Sequence, residues 1–427
     1  MVTTKQTVQP ATADGIALHA IPTGPEGYLR QVIWPAFYNS WRRMRGGPRV
    51  QRRPPLRLSR RAATSNAPRA LVAYLREPFE RPAQVATAAH SNWEQATIIA
   101  DVLAELGYEV DVAGALDEPD SAAGSYDLLI GELALFTRCL PLVSPSGRRI
   151  YLATRRHPWW EYESVGRHLR ELRQRSGLRL ENALSRKWYA EAARGVSRAD
   201  AVVSIGSPAC ASTYAREGIP IIPIGNTALF RRRIPVEDKN YSEARRHFLW
   251  LGSVPLANKG LAPVLLAFAR NPHLHLWICG PLASIKEART VWALRRHLFG
   301  LPNIHPLGWV NVRSDDFAKI LRTCGWIVSA AYHDSMSGSV VLAVANGLVP
   351  IVSPEVGVEC ADYGVPVERP GEDEVTDALR RASALSAEEL RERSALALAL
   401  GDREFTPAAF RRRFLGAMQQ LDAGRSA

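Results

Sequence analysis

Apolar and polar positions along this chain follow two rhythms that recur as a pair. Short apolar runs are each followed by a stretch whose apolar residues return at helical spacing. The first run is Ala70 to Leu75. After a loop, Ser91 and Glu94 have the spacing of a capping box, and Ala96, Ile99, Ala100, Leu103 and Leu106 form one helix face that Gly107 ends. Strands are predicted next at Tyr108 to Ala113, Tyr126 to Ile130 and Arg149 to Ala153. Residues 158–198 read as helical, Asp200 to Ile205 as a strand, Pro208 to Glu217 as a helix and Ile219 to Ile224 as a strand.

The alternation then starts again. Phe248 to Leu251 is a strand, Lys259-Gly260 opens a helix whose face is Leu261, Val264, Leu265 and Phe268, and Leu274 to Cys279 is a strand. A helix around Ile285 to Leu298, a strand at Ile304 to Leu307, a helix at Asp315 to Thr323 and strands at Trp326 to Ala331 and Val349 to Val352 follow. From Glu372 the chain is helical. Strands alternating with helices predict parallel, doubly wound sheets, and the repeated series predicts two such domains. The expected boundaries are a basic appendage at 1–66, a first Rossmann-like (acceptor) domain at 67–226 and a charged linker at 227–246. A second Rossmann-like (donor) domain at 247–400 and a C-terminal helix at 401–427 complete the chain. Two sets of strand carboxyl ends then face one cleft, a place for a two-part ligand.

Charge changes the picture in one segment. From Gly27 to Arg69 there are eleven arginines and no lysine or acidic residue, so this stretch accounts for all but one of the formal net charge of +12. Trp34, Phe37, Tyr38 and Trp41 stand just before Arg42, Arg43 and Arg45, a combination that suits an anionic membrane surface. Residues 28–61 are therefore the expected membrane contact, with a solvated tail as the alternative. No RNA- or DNA-binding motif accompanies the arginines, and no nucleic-acid partner is expected. The five cysteines show no disulfide or zinc spacing, and no apolar run is long enough to span a bilayer. The expectation is a cytoplasmic protein, peripheral on the inner membrane face.

The richest stretch is Trp326 to Ser353, which reads strand, polar turn, helix, strand. Ser337, Gly338 and Ser339 start its helix, where unpaired backbone amides and the dipole favour an anion and glycine permits close approach. Any capped βαβ unit shares these features, so they do not identify the ligand.

Three motifs together carry a resemblance. HFLWLGSVPLANKGLAPVLLAFARNPHLHLWICGP, NIHPLGWV and AAYHDSMSGSVVLAVANGLVPIVSPEVGVE resemble the second domain of bacterial retaining glycosyltransferases of the family 4 (group 1) type, which have the GT-B fold. AHSNWEQATIIADVLAELGYEVDV, IYLATRRH and IPIGNTALF match the first domain more loosely. The resemblance implies that Lys259 binds the donor diphosphate. Ser253 stands where a neighbouring arginine is usual, leaving more of that work to loop amides. Asp334 takes the first acidic position of the family motif and contacts the donor sugar. Leu342 takes the second, where a carboxylate usually holds the ribose, so Glu355 or Glu359 becomes the candidate replacement. His157 corresponds to the histidine offered to the reacting centre, and His90 and Asn92 to the loop where acceptor and donor phosphate meet. For these histidines a structural role is the alternative, and for Asp334 a helix cap. No Asp-x-Asp is present, so neither a metal nor another cofactor is expected.

The resemblance implies transfer of a sugar from a nucleotide-sugar donor, with retention, to a glycan or lipid-linked acceptor in surface polysaccharide or glycoconjugate synthesis. The replacements at Ser253 and Leu342 keep a second class open, a catalytically silent GT-B protein that binds glycan or protein.

Overall fold

The computed structural model describes residues 54–58, 66–87, 90–115, 117, 126–229, 232 and 234–426. The first sheet contains β1 (Leu56–Leu58), β2 (Arg69–Ala73), β3 (Glu109–Ala113), β4 (Tyr126–Gly131), β5 (Val143–Ala153), β6 (Ala201–Ser204) and β7 (Ile221–Pro223). Their spatial order is β1-β3-β2-β4-β5-β6-β7, and every pairing is parallel except β1 with β3. Alternate side chains of β2 explain why it is apolar throughout: Ala70 and Val72 enter one core, Leu71 and Ala73 the other, because helices cover both faces.

The second sheet contains β8 (His247–Leu251), β9 (His275–Cys279), β10 (Ile304–Gly308), β11 (Trp326–Ser329), β12 (Val349–Val352) and β13 (Val365–Pro366). Its order is β10-β9-β8-β11-β12-β13, all parallel. Two doubly wound domains are thus present, with the strand series that the apolar runs predict.

Several local expectations change. The helix Asn92–Glu105 forms, but Ser91 has helical dihedrals and its side chain makes no cap, so the predicted capping box is absent. A complete capping box forms at Ser386 and Glu389 instead, where Ser386 adopts the extended backbone such a cap needs. The helical stretch 158–198 divides into Pro158–Ser176 and Arg186–Val196, because Gly177 takes a left-handed φ of 74° and closes the first helix. The stretch from Pro208 to Glu217 is an α-helical turn followed by a 3-10 helix.

The appendage is not wholly separate from the fold. Leu56↔Val112 and Leu58↔Val110 pair β1 with β3, and Leu56 and Leu58 pack on the first core. Arg57 reaches Glu109 at 2.8 Å. Residues 1–53 and 59–65, and so most of the 28–61 segment, lie outside the described residues. At the other end, the helix Pro407–Ser426 returns to the first domain, where Phe410, Phe414, Ala417 and Met418 are buried among β2, β3 and the helix Asn92–Glu105. The C-terminal helix is therefore a part of the first domain's core. Among the described residues no helix is long and apolar enough to cross a membrane.

Away from the strand carboxyl ends, β8, β9 and β10 carry a ladder of imidazoles. His247 stacks on His275 with ring centroids 4.8 Å apart, and His275 on His305 at 5.3 Å. The Trp277 indole N–H donates to His247 Nδ1 at 3.1 Å, which requires that nitrogen to be unprotonated. Burial and the neighbouring rings pull His247 and His305 down to about 4, and burial with Arg246 lowers His275, against a weaker opposing pull from Glu243. A ring whose folded pKa lies below its unfolded value of 6.5 takes its proton later in the folded state. The neutral ladder therefore stabilises fully above about pH 6.5, and this contribution is lost as the pH falls toward 4. The unfolding free energy should drop by on the order of 3 kcal/mol across that window after allowing for solvent screening. Denaturant titrations of the wild type and of His305→Gln at pH 7 and pH 5 check this. Equal pH dependence in both would remove the ladder as its source.

Candidate active site

In a doubly wound sheet, the loops diverge where the strand order reverses, and a crevice opens there. The second sheet reverses between β8 and β11, and the first between β2 and β4. The loops after these strands face each other across a cleft of about 530 Å³. The β8 loop supplies Gly252, Ser253 and Lys259, the β11 loop Asp334 to Ser339, and the first domain Tyr74, His90, Asn92 and Gln95. A smaller chamber of about 290 Å³ shares Tyr74, Asn92, Thr154, Lys259 and Asp334 with it and adds Glu132, Leu133, Arg155 and His333.

Lys259 and Asp334 meet at the junction of the two spaces. Lys259 Nζ donates to Asp334 Oδ2 at 2.7 Å, and both side chains are largely buried. Burial alone would raise the Asp334 carboxyl; the Lys259 ammonium outweighs it and holds the group below its ordinary 3.8. Lys259 is placed by the residue after it. Gly260 has a φ of 69°, and a Cβ there would lie 1.8 Å from the Ala330 carbonyl oxygen, so only glycine lets this loop lie against the end of β11. The opposite side is set in the same way, because a Cβ on Gly357 (φ 75°) would lie 2.2 Å from the Ser335 carbonyl oxygen.

The β11 loop is also held from the first domain. Arg156 Nε donates to the Asp334 carbonyl at 2.9 Å and its Nη2 to the Pro354 carbonyl at 2.6 Å. Ser164 Oγ donates to the Tyr332 carbonyl at 2.7 Å, and the Ser207 amide to the Ser335 carbonyl at 3.2 Å. Gln95 donates to Asn226 Oδ1, whose own amide donates to the Met336 carbonyl, each at 2.7 Å. The two domains are therefore joined at the loop that carries the candidate chemistry.

Most of the anticipated residues line this cleft: His90, Asn92, Ser253, Lys259, Asp334, Ser337, Gly338 and Ser339. Ser337 Oγ lies 3.1 Å from Ser339 Oγ and makes no helix cap, so both hydroxyls remain at the cleft wall. Asn92 Oδ1 is buried and has no hydrogen-bond partner among the described residues. Leu342 lines the cleft with its apolar side chain, where the resemblance would place a ribose carboxylate.

His157 and Glu355 are corrections. His157 is 1% exposed and absent from the cleft wall; its Nδ1 accepts from the Trp159 amide at 3.3 Å, capping the helix Pro158–Ser176. Its Nε2 lies 3.0 Å from Glu217 Oε1, and its ring edge meets Tyr214. The chain turns after Thr154, so Thr154 lines the cleft, Arg155 lines the smaller chamber, and His157 lines neither. Glu355 points to His168 of that same helix, with Oε1 3.5 Å from Nε2, and does not supply the missing carboxylate to the cleft; Glu359 is exposed and also absent from its wall.

Other residues escaped the sequence reading. Trp309, directly after β10, is 59% exposed and lines the cleft mouth with Asn311. Glu132, directly after β4, is raised by burial against the opposing pull of Thr154, whose hydroxyl it accepts, and Arg155. Leu133 beside it has a φ of 51°, strained for a side chain of that kind. Their position at strand carboxyl ends is a signal that a sequence reading can use; the backbone strain is visible only in three dimensions.

No family profile matches this chain, and no curated protein sequence matches it either. Solved structures do. Sucrose-phosphate synthase of Thermosynechococcus elongatus superposes with a TM-score of 0.58 at 14% identity, covering 84% of this chain and 100% of its own. HepE of Anabaena, solved in complex with UDP-glucose, gives 0.54 at 12% identity over 83% of this chain and 100% of its own. A glycosyltransferase of Rickettsia africae gives 0.50 at 10% identity over 83% and 98%. The fold of this chain is GT-B, in agreement with the two-domain reading of its sequence.

Proposed function

We propose that this protein is a retaining glycosyltransferase that moves a sugar from a nucleotide-sugar donor to a glycan or lipid-linked acceptor in surface polysaccharide or glycoconjugate synthesis, at the cytoplasmic face of a membrane. The observation that carries this reading is the Lys259–Asp334 pair, placed where both topological switch points meet. The UDP-glucose bound to the structural neighbour HepE supports the donor class.

Cleavage of the glycosyl phosphate bond develops positive charge at the anomeric carbon and negative charge on the leaving diphosphate. Lys259 and the amides of the Ser253 and Gly338 loops meet the diphosphate charge. Asp334, released from Lys259 by the incoming phosphate, accepts from hydroxyls of the sugar. His90 and the unpartnered Asn92 Oδ1 face the same space from the acceptor domain. The Lys259 ammonium can meet the diphosphate charge itself, so turnover is expected to persist in a chelator; its loss there would point to a metal.

The apolar Leu342 favours a second reading, a GT-B protein that binds its ligand without turnover. Hydrolysis assays with a panel of nucleotide-sugars separate the two: release of free sugar supports the enzyme, and binding without release supports the second reading. Asp334→Asn should lower turnover at least about 100-fold with nucleotide affinity changed only a few fold, because its partner is the sugar. His157→Asn should keep near-normal turnover per folded molecule and lower the thermal midpoint, because its bonds are a helix cap and a contact with Glu217. A His157→Asn protein that is stable and inactive would return this histidine to the reaction.

A further inference from the structure

Only four large apolar side chains stand out as exposed among the described residues, and three of them sit on successive βα units of the second domain. Val254 (43% exposed) lies in the loop after β8, Trp292 (44%) in the helix Ala288–Gly300 that follows β9, and Trp309 in the loop after β10. Because β10, β9 and β8 are neighbours in that order at one edge of the sheet, their following segments are neighbours too, and Trp309 among them lines the cleft mouth. The rim is held together: Glu287, just before the helix, accepts the Leu256 amide of the Val254 loop at 3.1 Å.

The exposed charge on the segment from Lys286 to Arg296 has one sign. Lys286, Arg289 and Arg296 are exposed on the face that carries Trp292, and the Arg295 guanidinium lies 4.1 Å from the Trp292 ring centroid. Glu287 is the segment's one carboxylate, and it is turned inward at 3% exposure. Among the described residues a single acidic residue, Glu181, approaches Arg289, at 3.8 Å with both side chains almost fully in water, where such a pair contributes little. Exposed cations around an exposed indole are the chemistry that an anionic lipid headgroup layer accepts: the cations meet phosphate, and the indole enters the headgroup boundary.

We infer that the rim formed by Lys286, Arg289, Trp292 and Arg296, with Val254 and Trp309 beside it, is a docking surface for an anionic membrane, which would present the cleft mouth to a lipid-linked acceptor. The docking surface stands on its own exposure and charge, and only its use for an acceptor rests on the transferase reading. It lies on the other domain from β1, the part of the 28–61 segment that the structure describes.

Flotation of the full-length protein with phosphatidylcholine vesicles, with and without phosphatidylglycerol, tests it without any turnover. Wild type should bind the phosphatidylglycerol vesicles, more weakly as salt rises. Arg289→Glu with Arg296→Glu should reduce that binding at least about 10-fold, as expected from removing and reversing two headgroup-facing charges. Trp292→Ala should reduce it several fold, and the blue shift of tryptophan fluorescence on vesicles should shrink in Trp292→Phe. An equal charge change elsewhere, Arg391→Glu with Arg403→Glu, should have a much smaller effect. No binding by wild type, wild-type binding by the rim variants, or an equal loss in the control would each overturn the assignment. A rim variant that loses affinity for a DNA oligonucleotide as strongly as for vesicles would overturn it in favour of a nucleic-acid surface. Unchanged thermal midpoints show that the exposed substitutions leave the fold intact.

Discussion

Lys259→Ala is expected to weaken binding of a nucleoside diphosphate by about 30- to 1000-fold, a loss on the order of 2 to 4 kcal/mol, while binding of the nucleoside alone is unchanged. Among the described residues the ammonium is the one lysine or arginine cation on the wall of the larger cleft, where it is paired with Asp334. An arriving diphosphate offers it a second anion in a partly desolvated place, and the nucleoside offers none. The variant also leaves the Asp334 carboxylate buried without its cation, so its pKa should rise toward and beyond the ordinary value. Stability that Asp334 contributes above its unfolded pKa, and that is lost as the pH falls through its lower folded value, should then disappear. Calorimetry with UDP, GDP and the corresponding nucleosides reads the binding effect. An equal loss for nucleoside and diphosphate would remove Lys259 from the phosphate site.

The second large effect concerns Phe410, which has no part in the cleft. Phe410→Ala should destabilise the protein by about 3 to 5 kcal/mol, because the ring is fully buried and its removal leaves a cavity. The cavity would lie in the first domain, among residues such as Ala70, Val72 and Ile99, although Phe410 follows the whole second domain in the chain. Hydrogen exchange of the variant should therefore show lost protection in β2 and β3 and near-normal protection in β8 and β11. Loss confined to the second domain would show that the helix belongs energetically to its nearer neighbour in sequence. The same geometry gives the helix a coupling role, since it begins after Thr406 on the second domain's side and ends on the first.

How much of this was legible beforehand follows from the range of each interaction. Strand positions were readable because a buried parallel strand needs apolar side chains on both faces; the strand Val349–Val352 forms with the predicted bounds, as does the helix Asp315–Thr323. Lys259, Asp334 and the Ser337–Ser339 turn were readable as cleft-facing because each follows a strand's carboxyl end, and that end is where a doubly wound sheet opens. The resemblance named the two charged positions; their pairing needed coordinates.

What failed was decided by contacts between residues far apart in sequence. His157 lies in the expected loop, yet two residues of chain direction set whether a side chain faces the cleft or the wall, and the extended backbone of His157 at the helix start turns its ring to Glu217 and Tyr214. Arg156, beside it, became the interdomain tie because its length reaches the Asp334 and Pro354 carbonyls. Leu56 to Leu58 looked like part of a polar tail; an edge strand of three residues has too short a pattern to stand out, and only the exposed edge of β3 gives it a partner. The sequence alone determined two doubly wound domains and the loops that line the cleft, since these depend on local periodicity. The tertiary structure alone decided which side chains enter the cleft and which domain the last helix completes, because both depend on surfaces that exist only once the sheets have formed.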